Sequence, residues 1–139
     1  MNHTRLLCTL VAAAGFATVA VAVAETPKTE TLPSGVVIEH LKEGTGPTPT
    51  VNDIVVAHYR GTLADGKEFD SSYKRGEPSA FPLTRVVPCW TQGVQKIRVG
   101  GKAKLTCPPA TAYGDRGYPG VIPGGAVLTF EIELVSIKK

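Results

Sequence analysis

Between Leu128 and Leu134 apolar and polar residues alternate without a break. Leu128, Phe130, Ile132 and Leu134 stand against Thr129, Glu131 and Glu133. A period of two is the mark of a strand with one buried and one wet face. A single strand of this kind cannot keep its apolar face from water, so neighbouring strands and a covering element must exist. Lys102 to Cys107 alternates the same way and places Ala103, Leu105 and Cys107 on one side. Ile54 to Tyr59 is a strongly apolar run that reads as a strand buried on at least one face. Val36-Val37-Ile38 begins a further short strand, and Asp65-Gly66 signals a hairpin turn leading to Phe69.

One segment reads as a helix. Pro88 suits a first helical position, Trp90, Val94 and Ile97 make an apolar stripe at i, i+4 and i+7, and Gly100-Gly101 ends it. Gly93 weakens this helix by about 1 kcal/mol relative to Ala. Several antiparallel strands with one short helix must bury the stripe against a sheet face. The fold class is α+β.

The ends of the 139-residue chain set its organisation. Arg5 precedes an uncharged run from Leu6 to Ala24 that closes on Ala22-Val23-Ala24, a small-x-small pattern. Residues 1–24 are therefore expected to be a secretory signal peptide cleaved after Ala24. A permanent anchor is the alternative, since the run approaches the ~20 residues that span a bilayer. Ala, Thr and Gly make the run only weakly hydrophobic, so no stable membrane anchor is expected after cleavage. Cys8 lacks the preceding small residues of a lipidation site. Residues 25–34 are polar, carry Pro27 and Pro33, and read as a flexible arm. Residues 35–139 remain as one domain. Without Arg5 the balance is 14 basic against 12 acidic residues, too even to suggest nucleic acid. Cys89 and Cys107 remain after cleavage, an even number that favours a disulfide in an exported protein.

The usual catalytic constellations are missing. There is no Gly-x-Ser-x-Gly elbow, Walker loop or Gly-x-Gly-x-x-Gly. Two cysteines with His40 and His58 do not have zinc-ligand spacing, so no metal or cofactor is expected. Both histidines lie in expected strands and read as sheet-surface residues. On pattern alone Trp90, Phe130, Tyr59, Phe69 and Tyr113 are core residues. Asp70 is harder to place there, because a buried carboxylate needs partners; Tyr59 and Arg75 are the nearest available.

Five ordered segments carry more information than any pattern. They are Val56-Ala-His-Tyr-Arg-Gly-Thr-Leu-Ala-Asp-Gly-Lys-Glu-Phe-Asp-Ser-Ser, Val86-Val-Pro-Cys-Trp, Leu105-Thr-Cys-Pro-Pro-Ala-Thr-Ala-Tyr-Gly, Gly120-Val-Ile-Pro and Leu128-Thr-Phe-Glu-Ile-Glu-Leu. Together they resemble the FKBP-type peptidyl-prolyl isomerases from about Val51 to Ile137, and the Val-Val-Pro-x-Trp form resembles the bacterial exported branch. The resemblance implies a five- or six-stranded antiparallel sheet curled around the short helix, with a pocket between them. It implies binding positions at Tyr59, Phe69, Asp70, Val86, Val87, Trp90, Tyr113, Ile122 and Phe130, with Arg75 nearby. Asp70, Tyr113, Trp90 and Phe130 would carry catalysis, Trp90 as the floor under the proline ring. The Val87 N–H would hold a substrate carbonyl, and Tyr113 would offer its hydroxyl beside the proline. Implied partners are proline-containing segments of exported proteins, with macrolides such as rapamycin as further ligands. The expected place of action is the periplasm, with secretion as the alternative. A monomer is expected, since no long dimerising helix is visible.

Several positions depart from the family pattern. Ser79 stands where an aromatic is common, so one pocket wall is expected to be thinner. Tyr118 stands where His or another residue occurs, and Cys89 and Cys107 replace Gly and an aliphatic residue. Cys107 faces inward by alternation and Cys89 precedes Trp90, so a bridge would pin the helix to the sheet. The alternative is a reactive Cys89 thiolate near a helix amino terminus. Two rivals to an isomerase stay open at this point: a peptide-holding chaperone using the same pocket with little turnover, and a β-rich structural domain without a pocket.

Overall fold

The computed structural model describes residues 28–138. The signal peptide expected at 1–24 lies outside them. The described chain forms a seven-stranded antiparallel sheet with one principal helix, as the α+β reading requires. In chain order the strands are β1 (Lys28–Thr31), β2 (Val37–Lys42), β3 (Ile54–Leu63) and β4 (Glu68–Ser71). A single-turn helix α1 (Ser72–Arg75) leads to β5 (Ser79–Pro82), and α2 (Pro88–Val94), β6 (Lys102–Cys107) and β7 (Leu128–Lys138) follow. Neighbours run β1-β2-β6-β7-β3-β4, with β5 also on β3. The central β3–β7 pair runs in register from Ile54↔Lys138 to Leu63↔Leu128, with one irregularity between Val56 and Ala57.

Alternation decides which face is dry. Leu128, Phe130, Ile132 and Leu134 of β7 are buried together with Ala103, Leu105 and Cys107 of β6. Helix α2 lies on this face. Its N1 proline is where the sequence placed it, and Trp90, Val94 and Ile97 are all buried, although the helix ends at Val94 and Ile97 sits in the following turn. Gly93 has a packing reason that outweighs its poor helix propensity. A Cβ there would meet Leu105 Cδ1 at 2.7 Å, so only glycine lets α2 approach β6 this closely. Beside that contact a disulfide joins Cys89 to Cys107, with the two Cα atoms 5.7 Å apart. The bridge leaves no free Cys89 thiolate.

Three expectations need correction. Residues 28–31 of the expected flexible arm form the edge strand β1, paired from Lys28↔His40 to Thr31↔Val37. Polar composition does not forbid an edge strand, because its pairing needs backbone groups and no apolar face. The count of five or six strands is too low, since β1 and the four-residue β5 both join the sheet. His40 is not a surface residue: it is 7% exposed and its Nε2 lies 2.8 Å from Glu30 Oε2 of β1. Strand β1 is what covers it.

Candidate functional site

Where α2 meets β3, β4, β5 and β7 the apolar face opens into a cavity of about 470 Å³. Its floor is Trp90, 4% exposed. Three rings stand edge-on to the indole: Phe81 at 4.9 Å, Tyr59 at 5.4 Å and Phe130 at 5.5 Å between centroids. Phe69 packs edge-to-face on Phe130 at 5.6 Å. Edge-to-face pairs of this kind contribute about 0.5–1.5 kcal/mol each beyond their buried area, so the walls brace one another. Gly61, opposite Phe130 in the β3–β7 register, makes room for both rings. A Cβ there would come within 2.6 Å of Phe69 and 2.9 Å of Phe130.

One side of the cavity is polar and fully paired. Tyr59 Oη donates to Asp70 Oδ2. The other carboxylate oxygen accepts from Arg75 Nη1 at 3.0 Å and from the Ser71 N–H at 2.9 Å. Arg75 Nη2 also donates to Tyr59 Oη at 3.0 Å and Ser79 Oγ at 3.2 Å. Its guanidinium lies 5.7 Å from the Tyr59 ring centroid. Tyr59 is fixed from behind by its N–H donating to buried Ser72 Oγ at 2.7 Å. Burial pushes the Asp70 carboxyl upward, yet the bonds from Tyr59, Arg75 and Ser71 outweigh it and hold Asp70 below its ordinary value. Burial, reinforced by the Asp70 bond, raises Tyr59. At neutral pH the carboxylate is therefore charged and the phenol is not.

The rim supplies unused donors. Val87 N-caps α2 and lines the cavity; its N–H has no hydrogen-bond acceptor among the described residues. Tyr113 lies just past the 3-10 turn Pro109–Thr111, held by Gly114 N–H to Pro109 O at 2.8 Å and Gly117 N–H to Tyr113 O at 3.0 Å. Its ring packs against Tyr118 at 5.9 Å, and its hydroxyl has no partner among the described residues. Burial, with Tyr118 and Asp70 adding to it, raises the Tyr113 phenol, so it remains a donor throughout the neutral range.

Eight of the nine expected binding residues line this cavity: Tyr59, Phe69, Asp70, Val86, Val87, Trp90, Tyr113 and Phe130. Ile122 does not. It is 5% exposed, belongs to the core cluster and bridges to Tyr118. Arg75 does not line the cavity; it is bonded to Asp70 and Tyr59, which do. Phe81 and Arg85 line the cavity and were not foreseen. The wall expected to be thin at Ser79 is closed two residues later by Phe81, which follows Ser79 on the same side of β5.

The pairing of Asp70 sets an acid limit. Its folded value lies below its unfolded one, so the stabilisation is complete above the ordinary carboxylate value of about 3.9 and is lost as pH falls through the lowered value. Tyr59 has the opposite sign: its contribution is complete below its ordinary value of about 10 and is lost above that. Thermal midpoints should thus be flat between about pH 5 and 9 with respect to this pair. They should fall below about pH 4, less steeply in Asp70→Asn. An Asp70→Asn acid limb as steep as the parent's would remove Asp70 as its source.

Comparison with known proteins agrees with this geometry. Residues 46–135 match the FKBP-type peptidyl-prolyl cis-trans isomerase family. The FKBP-type peptidyl-prolyl cis-trans isomerase FkpA of Escherichia coli (strain K12) is 49% identical over 109 residues, 78% of this chain and 40% of that protein. FK506-binding protein 1 of Debaryomyces hansenii is 45% identical over 108 residues, 76% of this chain and 96% of that protein. The crystal structure of FkpA from Escherichia coli superposes with a TM-score of 0.76 at 45% identity, covering 85% of this chain and 55% of that one. The chain thus spans about 40% of the length of its FkpA relatives. The matched segment takes in every cavity residue from Tyr59 to Phe130, and a relative is covered almost end to end, so this chain belongs to the FKBP-type peptidyl-prolyl cis-trans isomerases.

Proposed function

We propose that this chain accelerates rotation about X–Pro bonds in exported proteins by binding the twisted amide in its aromatic cavity. The observation that carries the reading is an aromatic box floored by Trp90, with two unused donors, Val87 N–H and Tyr113 Oη, at its edge. Uncatalysed rotation faces a barrier of ~20 kcal/mol because the partial double bond must be broken. When the amide twists, resonance is lost and its oxygen carries less negative charge than in the planar state. An apolar box disfavours the planar, more polar amide relative to the twisted one, and that difference is what lowers a barrier. The rim donors hold neighbouring carbonyls in the turn that rotation requires. A millionfold acceleration needs about 8 kcal/mol of such differential binding. No proton moves, so the lack of a nucleophile and base is consistent with the chemistry.

Export to the periplasm and action as a monomer belong to the same reading. The fully buried Cys89–Cys107 bridge supports it, because disulfides persist in oxidising compartments. The box would also take macrolides such as rapamycin; the name of the Debaryomyces hansenii relative says that that protein binds FK506.

An isomerisation assay on a proline tetrapeptide tests the proposal. Tyr113→Phe should lower kcat/KM roughly two- to tenfold, the value of one hydrogen bond. Asp70→Ala should lower it more, about ten- to a hundredfold, because it leaves Tyr59 and Arg75 without their charged acceptor. Peptide binding without acceleration would instead make the cavity a peptide-holding module.

A further inference from the structure

A second hollow, of about 580 Å³, lies on the outer side of α2. The helix turns Trp90 and Val94 inward, while Gln92, with Gln95 and Lys96 just past the last helical residue, lines this groove. Leu32, Pro33 and Ser34 of the β1–β2 turn form a second wall, and Thr48 with the buried Pro49 forms a third. These walls are pinned. Leu32 N–H donates to Val36 O and Gly35 N–H to Leu32 O, both at 2.9 Å, and Val99 N–H donates to Pro47 O at 3.0 Å. Ser34 Oγ donates to Gln92 Oε1 at 2.6 Å and ties the turn to the helix. A hollow held in this way needs little ordering when something enters it.

Most polar groups of the groove are unused. The Ser34 bond occupies the Gln92 oxygen, so the two Gln92 Nε2 protons have no acceptor among the described residues. Gln95 Nε2 donates to Thr91 O at 2.7 Å, which leaves Gln95 Oε1 open. The backbone N–H and C=O of both Ser34 and Thr48 also lack partners among the described residues. Lys96 is the only charged residue lining the groove, and it has no ion pair among the described residues. A simple anion would use the donors and the ammonium but none of the open acceptors. An extended polypeptide brings backbone donors and acceptors together, and an acidic side chain on it would complement Lys96. The part of this chain outside the described residues enters β1 at Lys28, the end of the strand away from Leu32, so a separate chain is the better occupant.

We propose that this groove is a second polypeptide-binding site, which holds an extended segment carrying acidic side chains. No residue lines both the groove and the aromatic cavity. The site therefore goes beyond the isomerase reading and does not depend on it. The ion pair with Lys96 is exposed to solvent and weakens with salt.

The test titrates nitrogen-15-labelled protein with acetyl-Glu-Thr-Glu-Leu-Glu-amide, which offers the aromatic cavity neither a proline nor a ring, and with its Gln and Lys counterparts. The side-chain amides of Gln92 and Gln95 and the backbone amides of Ser34 and Thr48 should shift saturably with the Glu peptide. At low ionic strength its affinity should exceed that of the Gln peptide roughly two- to fivefold, the range of an exposed ion pair, and the Lys peptide should bind more weakly than either. The preference should vanish at 1 M salt, where the screening length is about 3 Å, and in Lys96→Gln. The Trp90 indole signal should stay in place, and turnover of a proline tetrapeptide should be the same in Lys96→Gln as in the parent. Absence of shifts at the groove, shifts confined to the cavity residues, or equal affinity for the three peptides would overturn the second site while leaving the isomerase reading intact. A fall of tetrapeptide turnover in Lys96→Gln in step with the lost binding would also overturn it, because the groove would then be part of the cavity's own machinery. Groove shifts with the expected charge order, in a protein that turns over no tetrapeptide, would support the second site and count against the isomerase reading alone.

Discussion

Replacing Trp90 with Ala should destabilise the domain by about 3–5 kcal/mol and lower kcat/KM at least tenfold. Both effects have one cause. The indole is 4% exposed and touches the rings of Tyr59, Phe81 and Phe130 edge-on. Removing it takes away the floor and the surface against which three walls are braced. A core that can collapse recovers part of such a loss. This one is restrained from doing so, because residue 89, next to the lost indole, is bonded to Cys107 on β6. Helix α2 cannot swing into the void, so the cost belongs at the upper end of the range. A loss of this size is a large part of the 5–15 kcal/mol that a domain holds in total. Circular dichroism melts of Trp90→Ala and the milder Trp90→Phe, alongside turnover of a Leu-Pro peptide at low temperature, separate the two effects. A folded Trp90→Phe with undiminished turnover would show that any ring suffices. A folded Trp90→Ala with undiminished turnover would remove the floor from the mechanism.

Much of this arrangement is legible in the chain because burial here follows simple periods. The alternation over 128–134 and 102–107 marks the faces that β7 and β6 present to the core, and the stripe of Trp90, Val94 and Ile97 marks the face of α2. Asp70 announces itself as a carboxylate with nowhere to go except Tyr59 and Arg75, and both do hold it. What periodicity cannot tell is whether an inward aromatic fills the core or lines a hollow in it. Tyr59, Trp90 and Phe130 alternate like any core residue, and only the resemblance separated them from Leu105 or Ile132.

The misses have equally definite causes. Phe81 enters the site because β5 pairs with β3 through Val55↔Phe81 and Ala57↔Ser79, a register that four residues do not reveal by themselves, and Arg85 ends the 3-10 turn that follows. A usable signal did exist: Ser79 and Phe81 are two apart, so a strand that aims one at the pocket aims the other there too. Ile122 takes its expected place from the family pattern; here it pairs with Tyr118 and belongs to the core cluster. Strand β1 carries no apolar periodicity because it contributes pairing and cover for His40 and no dry face of its own.

Loss of the Cys89–Cys107 bridge should lower stability by roughly 3 kcal/mol, the chain-entropy value for a loop of about 19 residues. That corresponds to a fall of roughly 12 °C in the thermal midpoint of a domain this size. Both cysteines are fully buried and join the first turn of α2 to the last residue of β6. Reductant added to the native protein should therefore act slowly, at the rate at which the domain opens, and quickly once denaturant is present. A Cys89→Ala/Cys107→Ala double variant gives the same comparison without reductant and adds the loss of two buried sulfurs. Leu105 against Gly93 still holds the helix in the variant, so the fold should persist. The floor should be less firmly set, however, because Trp90 follows the lost anchor directly. Peptide affinity should then fall by a smaller factor than stability alone implies, and the fall should be recovered when the bridge is reformed in the parent. Identical melting midpoints for oxidised parent, reduced parent and double variant would show that the bridge contributes nothing to the fold. Disulfide formation in this protein would then serve some purpose other than holding α2 to the sheet.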